Sequence, residues 1–172
     1  MRWTILVALG AAFAALACDE PDPTADSPAL IWCEAVCSRA ASCGYRNLSC
    51  ESNCVSQRPG LANISRSGAS ALAPCLERLS CGAFEGDDER WANEMDACWE
   101  RARDALAPTK SARAFCEPYA AVWFSCGWLF PLDECASIYG MWSDSVLERV
   151  LACRSSSCEQ LDACVDGVFE RL

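Results

Sequence analysis

Fifteen cysteines and no histidine are the chain's main chemical resource. Thiolates bind metals, exchange electrons or close disulfides, and spacing separates these uses. No C-x-x-C occurs, so the usual dithiol redox motif is missing, and no histidine can complete a mixed zinc site. The lack of histidine also removes the usual general base for a serine or cysteine nucleophile. Carboxylate-pair hydrolysis survives that argument. Yet Asp87-Asp88-Glu89 reads better as a helix start, and Glu34 and Glu117 as surface positions beside a bridge. The cysteines are therefore expected to be structural, with no catalytic residues, metal or cofactor. One close pair, Cys153 and Cys158, stands beside Arg154, and a neighbouring cation lowers a thiol pKa. That pair carries the alternative reading of an exported thiol-redox or metal-handling protein.

Cys18 stands apart from the other fourteen, which begin at Cys33. Residues 1–17 have the three parts of a secretory signal. Arg2 and the α-amino group are positive, and Ile5 to Leu16 form an apolar run too short to span a bilayer. Ala14-Ala15-Leu16-Ala17-Cys18 resembles the lipobox of bacterial lipoproteins, with Ala15 where leucine is commoner. The resemblance implies cleavage before Cys18 and lipid on its sulfur, leaving an even fourteen cysteines. Ala15-Leu16-Ala17 also suits ordinary signal peptidase, so plain secretion is the alternative address. Asp19 resembles the inner-membrane retention signal of enterobacterial lipoproteins, a rule that varies, so either membrane is open. Residues 18–28, with four acids and three prolines after Cys18, read as an extended tether.

Removing 17 leader residues from 172 leaves 155, enough for one domain or two small ones. The net charge of −10 becomes −11 with the loss of Arg2. Nucleic acid is not an expected partner, because phosphate binding needs a basic patch. Fourteen cysteines in an exported chain point to a disulfide framework.

Their spacing exposes an internal duplication. Cys33-Glu34 and Ser42-Cys43-Gly44 recur 83 residues later as Cys116-Glu117 and Ser125-Cys126-Gly127. Cys33 and Cys37 lie one helical turn apart, as do Cys50 and Cys54, so each pair shares a helix face. Folding about the Cys43-Gly44 corner joins those faces in two rungs, Cys33–Cys54 and Cys37–Cys50. The second unit has one rung, Cys116–Cys135, because Ala120 replaces the other cysteine of its first helix. The pattern resembles the helical hairpins of peptides with twin C-x-x-x-C motifs. Cys43, Cys75, Cys81 and Cys98 remain in one unit, and Cys126, Cys153, Cys158 and Cys164 in the other. Two alignments compete here. Leu72-Ala73 before Cys75 matches Leu151-Ala152 before Cys153, while the segment 75–81 also matches 158–164 at the original offset. Pairing is expected within each unit and is otherwise open.

Helix signals predict an all-α fold of two tandem disulfide-stapled hairpin units, residues 29–107 and 111–172, behind the lipidated tether. Ser27-Pro28 starts one helix and Gly44 closes it. Trp91, Met95, Cys98, Ala102 and Leu106 share a helical stripe. Ser156 and Glu159 have capping-box spacing before a last helix. Pro74 and Pro118 either start or kink helices. Small units gain roughly 2–4 kcal/mol per disulfide, so reduction is expected to unfold both.

Eight of the fourteen aromatics beyond residue 17 fall within residues 115–142. Phe115, Tyr119 and Trp123 share one helical face, and Phe124 and Trp128 another. These five are the candidate binding residues, for a protein or glycan partner or a membrane interface. Alternatively, the aromatics fill the volume of the missing rung and seal the contact between units. By overall pattern the chain resembles cysteine-rich lipoproteins of GC-rich Gram-negative bacteria. That resemblance implies a lipid-anchored envelope protein, structural or interacting rather than catalytic.

Overall fold

Ser27 opens the first helix: its hydroxyl accepts the Leu30 N–H, and Pro28 sits where no amide hydrogen is needed. A computed structural model describes residues 27–172; the leader, Cys18 and the tether as far as residue 26 lie outside the described residues. Pro28 already belongs to α1 (Pro28–Ser42), so helix begins at the last residue of the expected tether. Then come α2 (Cys50–Gln57), α3 (Arg66–Leu76), α4 (Asp88–Ala105), α5 (Lys110–Ser125), α6 (Leu132–Tyr139), α7 (Asp144–Ala152) and α8 (Cys158–Phe169). Short 3-10 turns occupy Pro59–Asn63, Cys81–Phe84 and Cys153–Ser155. The fold is all-α, and among the described residues the only β-type pairing is an isolated bridge between Ile64 and Trp142.

Side-chain caps set half of the eight helix starts in the described residues. Asp87 accepts the Arg90 N–H at α4 and Thr109 the Ala112 N–H at α5. The capping box expected at Ser156 and Glu159 is absent: Ser157 is the N-cap of α8, and its side chain makes no capping bond. Pro74 and Pro118 lie inside α3 and α5, each removing one N–H from the helical ladder.

All fourteen described cysteines are bridged. The rungs are Cys33–Cys54, Cys37–Cys50 and Cys116–Cys135, each with Cα atoms 5.8 Å apart. The remaining eight pair as Cys43–Cys81, Cys75–Cys98, Cys126–Cys158 and Cys153–Cys164, within the units. This topology decides between the two alignments. Cys81 corresponds to Cys158, Cys75 to Cys153 and Cys98 to Cys164, so the 83-residue offset ends at the glycine corner of the hairpin. The pairing also places Cys153 and Cys158 in separate bridges, correcting their reading as one close pair. Cys153 is only 2 % exposed, tucked beneath α8 by its bridge to Cys164.

Both hairpin corners use one backbone device. Gly44 and Gly127 adopt φ of +94° and +83°, a left-handed conformation that glycine accepts without strain. The next residue then bonds back to the third-last helical carbonyl: Tyr45 N–H to Ala40 O, and Trp128 N–H to Trp123 O, both 3.0 Å. Tyr45 and Trp128 are therefore equivalent, as are Ala40 and Trp123.

Two apolar clusters form the core, one in α1–α4 and one in α5–α8, but they interlock. Met141, fully buried, belongs to the first cluster although it follows α6 in the chain, and Trp142 packs against both. The segment around Met141 is held by two backbone bonds of 2.8 Å, Ser65 N–H to Met141 O and Ser143 N–H to Asn63 O. Gly68 permits this approach, since a Cβ there would lie 2.6 Å from the Met141 carbonyl oxygen.

Met141→Ala should therefore cost about 2–5 kcal/mol by emptying a filled core position. Because the residue joins both units, calorimetry should record a single melting transition at lower temperature. Two transitions with only one displaced would refute the interlock.

Candidate functional site

The Cys126-Gly127 corner makes a site because of what replaces Ala40 in the second unit. The helix-ending motif brings residue 128 back over residue 123, and a hydrophobic contact commonly accompanies it. Here both are tryptophans, with ring centroids 4.5 Å apart. In the first unit the equivalent Ala40 offers no ring, and Tyr45 packs on Phe84 at 6.2 Å instead.

Beneath the tryptophans, α5 faces α6. Phe115 and Tyr119 meet Tyr139 at 4.8 and 5.3 Å, and Phe130 closes on Tyr119 at 6.2 Å. Tyr119, Trp123, Trp128, Leu129, Phe130 and Tyr139 line an open cleft of about 240 Å³. No lining residue carries a formal charge. Its polar side-chain groups are two phenols and two indole N–H groups. The Tyr139 hydroxyl donates to the Tyr119 oxygen at 3.0 Å. The Trp123 Nε1–H is buried and completes no hydrogen bond. Burial holds the Tyr119 phenol above the usual tyrosine range, as it does Tyr139, which also spends its proton on Tyr119.

The five candidate residues thus divide. Phe115 and Tyr119 are buried, 5 % and 0 % exposed, which corrects their reading as contact residues. They face α6, packed against Tyr139; Tyr119 survives only as cleft floor. Trp123 is half-buried, while Trp128 and Phe124 are 43 % and 70 % exposed. Trp142, in turn, seals the joint between units, 5.2 Å from Trp99 and 5.1 Å from Phe169. Core filling and an open aromatic face therefore coexist on one helix. Leu129, 85 % exposed, lines the cleft, and Leu132, 49 % exposed, follows it in the chain; neither was among the candidates. Their signal was available: an apolar run, Trp128-Leu129-Phe130-Pro131-Leu132, directly after a glycine helix stop.

A larger cleft beside the Cys75–Cys98 bridge offers a weaker case. Arg78, Arg90 and Arg101 face Asp87, Glu89 and Glu94 there, so opposite charges balance. Glu94 is held by the Ser80 hydroxyl and N–H, which lower its carboxyl below the usual range. Glu34 and Glu117 are exposed side chains beside bridges. Among the described residues no cluster of cysteine and carboxylate groups is arranged to hold a metal ion. Comparison with protein families, curated proteins and solved structures finds no match to the chain.

Two outcomes follow. An unfolded chain releases its tyrosine protons near pH 10 whereas buried Tyr119 and Tyr139 retain theirs, so stability should fall as pH rises past about 10. Denaturant melts from pH 8 to 11 should show that loss, and the Tyr119→Phe, Tyr139→Phe double variant should flatten it. Phe124→Ser with Leu129→Ser should leave melting within about 0.5 kcal/mol, as for surface positions. A loss of several kcal/mol would assign those side chains to the core.

Proposed function

We propose that the protein is a lipid-anchored, cysteine-rich module of the bacterial envelope that presents a binding surface and performs no catalysis. The observation that carries the binding reading is the open aromatic cleft walled by exposed Trp128 and Leu129, with Phe124 and Leu132 exposed close by in the chain. Clustered apolar side chains in solvent are uncommon on a monomer unless something covers them. A protein or glycan suits such a face, whereas a net charge of −10 disfavours nucleic acid.

The anchor rests on the lipobox-like residues 14–18 and on cysteine parity: fourteen sulfurs find partners, which leaves Cys18 for lipid. Two or more acyl chains hold a protein firmly to either the inner or the outer membrane, where one chain alone does not. No helix of the described residues is long and apolar enough to cross a membrane. The acidic, proline-containing residues 19–26 serve as spacer. The thiol-redox alternative loses its named pair, since Cys153 and Cys158 sit in separate bridges.

Cells fed radiolabelled fatty acid should label the native chain and not Cys18→Ser, which should partition into the aqueous phase. Membrane retention of the unlabelled variant would overturn the anchor. Intact mass of the purified protein should correspond to seven bridges without a free thiol; alkylation of any of the fourteen before reduction would favour the redox reading.

A further inference from the structure

We propose that the cleft among Trp123, Trp128, Phe130 and Tyr139, floored by buried Tyr119, binds an organic cation, a methylated ammonium head group, through the faces of its accessible rings. The inference rests on the binding reading above and names the ligand class. Aromatic faces are electron-rich, and several rings converging on one apolar space are the usual receptor for quaternary ammonium. Here five rings stand 4.5 to 6.3 Å from their neighbours, and Leu129 closes the wall. The volume of about 240 Å³ is below the ~300–1,000 Å³ of pockets for drug-sized ligands, so it suits a head group.

Charge selects the sign of the guest. No anion-binding cation lines the cleft. Residues 111–172 hold nine acids against four arginines. Asp162 and Asp166, exposed and one turn apart on α8, add a minor negative field at the floor phenols, Asp162 at Tyr119 and Asp166 at Tyr139, behind the larger effect of burial. Asp133 and Glu134 open α6 nearby, with Arg113 offsetting Asp133 at 3.3 Å. A cation thus enters an uncharged aromatic space backed by carboxylates, whereas an anion meets repulsion. The chain already uses this interaction internally: the Arg58 guanidinium lies over Trp32 and Trp91, 5.2 and 5.6 Å from their centroids.

The test compares choline with its uncharged isostere, 3,3-dimethylbutan-1-ol, by calorimetric titration into the oxidised, folded protein. Choline should bind saturably, and the isostere about fivefold or more weakly. Trp128→Ala should lose about tenfold in choline affinity while the far-ultraviolet helical signal is kept, and Trp128→Phe should retain most of the affinity. Asp162→Asn with Asp166→Asn should weaken choline and leave the isostere unaffected. Equal binding of both probes would overturn the cation assignment and keep the apolar binding face. Binding of neither to a folded protein would overturn the cleft as a head-group site, leaving the rim to be judged by its own surface variants.

Discussion

Oxidation of the fourteen paired sulfurs is the constraint on which this fold depends. The second helix makes the point most sharply, because α2 contributes no buried side chain. Packing alone gives it little reason to lie against α1; Cys33–Cys54 and Cys37–Cys50 supply that reason. Each bridge acts chiefly by restricting the unfolded chain, worth about 2–4 kcal/mol. For a helix of eight residues, too short to persist alone in water, such a tie decides whether it is helical at all.

The second unit shows what happens when one tie is lost. Only Cys116–Cys135 joins α5 to α6, yet α6 buries Cys135, Ala136 and Tyr139 where α2 buried nothing. Apolar area has taken over from the covalent link. A buried aromatic contributes on the order of 1.5–3 kcal/mol, comparable with the missing bridge. The exchange has a geometric by-product. Aromatics needed to hold α6 crowd the end of α5, and the last of them cannot all be covered. The same replacement that stabilises the hairpin leaves a cleft lined with rings.

The joint between units follows a different logic. Backbone bonds either side of Ile64 and Trp142, and a methionine from one half filling the other's core, make the duplicated units a single packed body. Gly68 matters for the same reason, since a methyl there would collide with backbone.

Local rules were enough to read the helices, both glycine corners and the three rungs from residue order. Each depends on contacts within about twenty residues: one-turn spacing of cysteines, a serine before a proline, a glycine that tolerates positive φ. Parity of the cysteines and the repeated Cys-Glu and Ser-Cys-Gly motifs were equally local. The pairing of the other eight cysteines was not legible, because similar stretches around Cys75 and Cys158 align in two registers and only helix packing distinguishes them. Residue order likewise misplaced the Cys153 and Cys158 pair, since closeness along a chain says nothing about which neighbour each sulfur faces. The aromatic stripe could be counted in advance, but not divided into core, floor and rim. That division was made by α6, whose approach to α5 covers Phe115 and Tyr119 and stops short of Phe124 and Trp128. Burial is a property of what arrives from elsewhere in the chain, and only the tertiary structure contains it.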